Sequence, residues 1–285
     1  MTDVVAGVAV HELAGRVPAT PLLISHATGF HAHAYRVLAE ALADHFHAWG
    51  IDHRGHGATP LPDDWITDWT VYGTDTLAVA RHLADTAGEP IVGFGHSMGG
   101  TALLMAAAHD PSVFSALVLH EPIGSPDRHP GLTDADMPIA AGARRRRPRF
   151  DSFQAAYDNF ASKPPMNLVD PRVLRDYVDY GFRAVADADG ASHVELVCAP
   201  DHEADTFLAG ADVDVWSALA RITIPVTVIG SGDGERPAEL AAPFARTLPN
   251  ATFVYAADQT HFGPLSHPAE VAAMITATIT DAVGH

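Results

Sequence analysis

The stretch Gly95-His96-Ser97-Met98-Gly99 sets a hydroxyl between two glycines, where the apolar run Pro90–His96 meets a helix-like segment that opens at Met98. G-x-S-x-G at a strand-to-helix junction suits a serine projected from the apex of a tight, strained turn. A side chain two residues before or after Ser97 would meet neighbouring backbone, and Gly100 would let the helix pack closely on the strand. A serine hydroxyl is a weak nucleophile until a base takes its proton. The candidate base is His261, in DQTHFGPLSHPAEVAAMI, a loop with Gly and Pro ahead of the last helix-like segment. His267 precedes Pro268 and reads as part of that helix's start. The imidazole needs a carboxylate to fix its tautomer and stabilise the imidazolium. Asp233, in GSGDGERP and 28 residues before His261, is the candidate acid. Ser97, Asp233 and His261 together would perform acyl transfer through a covalent serine intermediate.

Other side chains carry less chemistry. Eighteen histidines invite a metal, and His31 with His33, or His45 with His47, would share one face of a strand. No thiolate or carboxylate is spaced with them as in a common zinc motif, so no metal is expected. The net charge of −18 opposes nucleic-acid binding, which needs a basic surface. The run Arg144 to Arg147, followed by Arg149, is a local basic exception and reads as a solvated loop. Lys163 is the only lysine beside sixteen arginines. Cys198 is the only cysteine, so an intrachain disulfide is impossible and a buried, inert thiol is expected. No apolar run approaches the ~18 residues of a membrane span, and the start MTDVVAGVAV has no basic leader or cleavage signal. The expectation is a soluble, cytoplasmic protein.

The elements that must position Ser97, Asp233 and His261 follow from the apolar pattern. PLLISH (21–26), HFHAWGID (45–52), PIVGFGH (90–96), SALVLHE (115–121), IPVTVIG (224–230) and ATFVYAA (251–257) read as strands. Their near-continuous apolarity suits a parallel sheet buried on both faces. Helical patterns such as AYRVLAEALADH, GTDTLAVARHLADTA and MGGTALLMAAAHD lie between most of them. The alternation predicts an α/β fold with a mostly parallel central sheet flanked by helices, and DVVAGVAVHELAGR predicts an added antiparallel edge hairpin. The alternation breaks once, for about a hundred residues rich in Pro, Arg and Asp. FDSFQAAYDNFAS and DPRVLRDYVDYGFRAVAD within it look helical. A structureless loop of that length is improbable, so a helical insertion is expected over 124–222, with the core formed by 1–123 and 223–285.

In these features the chain resembles the capped esterase/lipase-like group of the α/β-hydrolase-fold superfamily over almost its whole length. The resemblance implies that Ser97, Asp233 and His261 are nucleophile, acid and base. DHRGHGAT (52–59) is similar to the group's D-x-R-G-x-G segment, in which Arg54 and the glycines are structural. The oxyanion-hole segment would be HATGFH (26–31), with Ala27 where the group usually has glycine. By that match the backbone N–H groups of Thr28 and Met98 would hold the oxyanion, and Phe30 would line the pocket or the core. Some members supply the acid from the strand end at which LVLHEPIG places Glu121, which makes Glu121 the alternative acid. The insertion falls where the group carries a helical cap, the roof of the substrate pocket; His202 and Glu203 in it read as capping or polar core residues. The implied activity is cofactor-free hydrolysis of a small carboxylic ester or lactone with an apolar part. The same triad would serve carbon–carbon bond hydrolysis of a diketone-like substrate, or perhydrolysis. Members that open epoxides or remove halides carry aspartate at the elbow, which disfavours those activities. A small-molecule receptor using the hydrolase pocket is the alternative of another class.

Overall fold

The structure is a computed structural model that describes residues 1–187, 192–232 and 236–283. Among the described residues, eight strands form one sheet in the order β1-β2-β4-β3-β5-β6-β10-β11. They are β1 (Thr2–Val5), β2 (Val8–Ala14), β3 (Thr20–Ser25), β4 (Phe46–Ile51), β5 (Ile91–His96), β6 (Phe114–His120), β10 (Val226–Ser231) and β11 (Ala251–Ala256). β1 and β2 form the antiparallel edge hairpin, β2 runs antiparallel to β4, and the pairs from β4 to β11 are parallel.

Alternate side chains of each inner strand enter different cores, as the two-residue period of a strand requires. Leu22, Ile24, Val92, Phe94 and Val118 join one apolar cluster, while Leu23, Ile91, Leu117 and Leu119 join another. The first cluster takes in α1 (Arg36–Ala41) and α10 (Pro268–Val283); the second takes in α2 (Trp69–Ala87), α3 (Met98–His109) and α8 (Arg236–Thr247). Local signals set the ends of α2. The Asp68 carboxylate accepts the Thr70 N–H at 2.8 Å, and Gly88 closes the helix in the left-handed conformation.

Between β6 and β10 the chain forms α4 (Pro138–Arg144), β7 (Arg149–Phe150), α5 (Phe153–Ala161), α6 (Pro171–Gly181), β8 (Phe182–Ala186), β9 (Ser192–Leu196) and α7 (Pro200–Gly210). DPRVLRDYVDYGFRAVAD reads as one helix in the sequence, yet the helix stops at Gly181. Phe182–Ala186 pairs antiparallel with β9, which also pairs with β7. The helical apolar spacing ends there, and Phe182 and Val185 have the aromatic and β-branched character that favours strands. Phe150, Val173, Tyr177 and Phe182 of this insert belong to the same apolar cluster as α1 and α10, so the insert is seated on the sheet's helical layer. Among the described residues, no helix is long and apolar enough to cross a membrane.

Candidate active site

The loops that follow β3, β5, β6 and β11 bring the candidate residues to one edge of the sheet, the carboxyl ends of the parallel strands, where open α/β sheets bind ligands. Ser97 sits between β5 and α3 with φ 55° and ψ −120°. That conformation is unusual for a residue with a side chain and marks strain at the turn. The flanking glycines are required by close approach. A Cβ on Gly95 would lie 2.5 Å from the Gly100 Cα, and one on Gly99 would lie 2.1 Å from the Ser25 carbonyl oxygen. The Ser97 N–H donates to the His120 carbonyl at 3.0 Å, which ties the elbow to the end of β6.

The next residue after β6 is Glu121, also at positive φ (47°) and wholly buried. Its Oε2 is 2.6 Å from His261 Nδ1. Its Oε1 accepts the Ser231 backbone N–H at 2.6 Å and the Ser231 hydroxyl as well. Burial opposes ionisation of Glu121, but the bonds from His261 and Ser231 and the nearby histidine charges outweigh it, and its carboxyl stays below the ordinary range. An ionised Glu121 only accepts, so His261 carries its proton on Nδ1 and Nε2 is left as the basic nitrogen. Asp233 lies outside the described residues; the His261 nitrogen that it was expected to hold is bonded to Glu121. His267 is exposed and hydrogen-bonds Ser266 instead.

The loop His26–His31 is fixed by groups that the sequence does not advertise. The amides on either side of Thr28 are tied down: Ala27 N–H donates to the Tyr35 hydroxyl at 3.1 Å, and Gly29 N–H to His56 Nε2 at 3.1 Å. The same Tyr35 hydroxyl hydrogen-bonds Nδ1 of His96, 2.7 Å away. One phenol therefore links the Thr28 loop to the residue beside Ser97. His26 Nε2 accepts the His53 N–H, so its Nδ1 donates to the Ala27 carbonyl. These roles need neutral rings. Burial supplies that, lowering His26 and His53 to about 3 and His56 and His96 well below their ordinary value. Thr28 itself is buried, with its hydroxyl 3.5 Å from the Met98 sulfur. Met98 is the first residue of α3, so its N–H has no intrahelical acceptor.

Ser97, His261, Thr28 and Phe30 line one cavity of about 480 Å³. Phe30 packs 5.3 Å from the Tyr177 ring and 6.1 Å from Phe262. The insert supplies the far wall, with Phe160, Met166, Tyr177 and Phe207, together with the polar groups of Arg146, Lys163 and Glu203. Arg146 and Glu203 form an ion pair, and Arg146 also donates to the Tyr177 hydroxyl. So Glu203 and Arg146 stand at the cavity, whereas the sequence reads the first as capping or polar core and the second as solvated loop. His202 donates its Nε2–H to the Arg54 carbonyl at 3.0 Å. Arg54 forms an ion pair with Asp75 at 2.7 Å. Cys198 is buried as a free thiol, and burial raises its pKa. Among the described residues, no group of three or more His, Cys, Asp or Glu is arranged to hold a metal ion.

Comparison with known proteins agrees with this architecture. The chain is 32% identical over 117 residues to the monoglyceride lipase homolog of Monkeypox virus, covering 40% of this chain and 42% of that protein. The match thus spans less than half of that relative's length. It is 29% identical over 226 residues to the pimeloyl-[acyl-carrier protein] methyl ester esterase of Aromatoleum aromaticum, covering 78% of this chain and 82% of that one. Among solved structures, E-2-(acetamidomethylene)succinate hydrolase superposes with a TM-score of 0.74 at 20% identity, over 100% of this chain and 99% of that one, a likeness of fold. The sequence profile of the Alpha/beta hydrolase family matches residues 22–274. The protein whose elbow, strand order and buried carboxylate–histidine pair are described above belongs to the alpha/beta hydrolase family.

Proposed function

We propose that the chain is a serine hydrolase of small carboxylic esters, with Ser97 as nucleophile, His261 as base and Glu121 as the acid. One observation carries the reading: Ser97, at a strained apex, and His261, held at 2.6 Å by the buried Glu121, face one apolar-walled cavity. The lipase and esterase among the relatives act on ester bonds, which supports the bond type.

In the reaction, His261 Nε2 takes the Ser97 proton as Oγ attacks the ester carbonyl. The Thr28 and Met98 N–H groups stabilise the tetrahedral oxyanion, and the start of α3 adds positive potential. The imidazolium is stabilised by Glu121 and then gives its proton to the leaving alcohol. Water, activated by the same His261, releases the acid and restores Ser97. No step needs a cofactor. In this reading residues 124–222 are the cap that selects the acyl or alcohol group. The test is steady turnover of p-nitrophenyl butyrate. The native protein should turn it over many times, and folded Ser97→Ala should lose on the order of 10³-fold or more in kcat. Equal turnover by the two proteins would remove the serine mechanism, and stoichiometric binding without turnover would support a receptor.

A further inference from the structure

Beside the cavity over Ser97 is a second one, of about 400 Å³, lined by Arg145, Arg146, Arg147, Asn159, Phe160 and Lys163. The two share Arg146, Asn159, Phe160 and Lys163 in their walls. Four cations at one opening are out of keeping with a chain of net charge −18. Glu203 neutralises Arg146 through their ion pair. Arg145, Arg147 and Lys163 face no carboxylate among the described residues. Many other arginines do: Arg54 faces Asp75, Arg81 faces Asp110, Arg128 faces Asp212, and the adjacent Arg144 faces Asp134, Asp201 and Asp205.

Two of these cations are held in place without losing their donors. Lys163 Nζ gives one bond to Asn159 Oδ1 at 2.7 Å and keeps two N–H groups. Arg147 lies over the Phe150 ring at 4.4 Å and gives Nε–H to the Arg149 carbonyl at 2.7 Å, which leaves its terminal NH2 groups. Between them and Ser97 the first cavity is walled largely by apolar side chains, among them Phe160 and Met166. Exposed cations beside a largely apolar cavity are complementary to an amphiphile with an anionic end.

We propose that the cap carries an anion-binding subsite formed by Lys163, Arg147 and Arg145, and that the natural ester bears an anionic group joined to its scissile carbonyl by an apolar spacer. The anion would be a carboxylate at the far end of the acyl chain or a phosphate; both are recognised by the same charge-assisted hydrogen bonds. This rests on the ester-hydrolase reading for the location of the reacting carbonyl.

Two measurements test it. The first compares kcat/KM for mono-p-nitrophenyl suberate and for neutral p-nitrophenyl octanoate. The native protein should favour the anionic ester on the order of tenfold or more at low ionic strength, with the preference falling as salt rises. In Arg147→Gln/Lys163→Gln the ratio should approach one. Using the ratio cancels any loss of folded protein. The second measurement does not need turnover. Lys163 is the only lysine, so protein labelled with ¹³Cε-lysine gives one lysine methylene resonance with the ammonium donors intact. In Ser97→Ala that resonance should shift with monomethyl suberate or octyl phosphate, and not with methyl octanoate. The tighter of the two anions identifies the source. An anionic-to-neutral ratio near one in the native protein, a preference that survives the double substitution, or an unmoved Lys163 resonance would overturn the subsite. If neither ester is hydrolysed but the resonance shifts, the subsite stands and the hydrolase reading fails.

Discussion

Replacing Glu121 by glutamine separates charge from shape at the centre of the site. Oε1 of Glu121 receives two bonds from Ser231, one from a backbone N–H that cannot reverse its role. In Glu121→Gln the amide oxygen must take that side, because an NH2 group would face the Ser231 N–H donor to donor. The amide NH2 is then turned to His261 Nδ1, 2.6 Å from the atom it replaces. It donates there, so the neutral imidazole must place its own proton on Nε2. That nitrogen can no longer take the Ser97 proton, and the imidazolium also loses its counter-charge. A wrong tautomer in a serine triad costs about 10⁴-fold in kcat, so a loss of roughly 10³- to 10⁴-fold is expected, about 4–5 kcal/mol of transition-state stabilisation. The assay is kcat for p-nitrophenyl butyrate, with thermal unfolding to establish the fold. Asp233→Asn, made in parallel, should cost at most a few-fold. Folded Glu121→Gln within tenfold of the native rate would refute the reasoning, and the reverse ranking of the two variants would return the acid to Asp233.

Three further outcomes follow from the geometry. Gly99→Ala would place a Cβ 2.1 Å from the Ser25 carbonyl oxygen, a backbone atom that cannot swing aside; a loss of about 1–3 kcal/mol or more is expected, and a urea midpoint equal to the native one would contradict it. Tyr35→Phe removes the group shared by Ala27 N–H and His96 Nδ1. It should cost about 1–3 kcal/mol and lower kcat more than it raises KM, since Thr28 follows Ala27; unchanged kcat would detach Tyr35 from the oxyanion loop. Burial holds His26 and His53 at about 3 in the folded protein, below the ordinary 6.5. The unfolded chain then binds more protons between those values, so stability should fall as pH drops from about 6.5 towards 3, by up to ~1.4 kcal/mol per unit for each such ring. Urea midpoints at pH 7.5 and 5 measure this, and a higher midpoint at pH 5 would reverse the sign.

The central sheet was legible because its inner strands are apolar on both faces; the edge strand β11 carries a similar apolar run, yet its Phe253 and Tyr255 are exposed. The elbow at Ser97 was legible for a different reason: its glycine spacing is a local pattern, although Gly99 is required by the distant Ser25 carbonyl, and His261 lies in a short loop after the last strand. The acid was not. Asp233 and Glu121 both follow strands, and the choice depends on β6 lying beside β10 and on the positive φ of Glu121, which turns its side chain towards the Ser231 amide. Neither is a local property of the sequence. Tyr35 is invisible for the same reason, since its two partners are 8 and 61 residues away. The arginine run reads as a solvated face because charge runs usually are one; only packing of α4 and α5 at the cavity separates Arg146 from its exposed neighbours.

The most direct measurement is mass spectrometry of the intact protein quenched during turnover of p-nitrophenyl butyrate. The account predicts a fraction of molecules heavier by one butyryl group, the added mass mapping to the Ser97 peptide and missing from Ser97→Ala. Turnover that continues in Ser97→Ala, or a butyryl group found on another residue of the native protein, would contradict it.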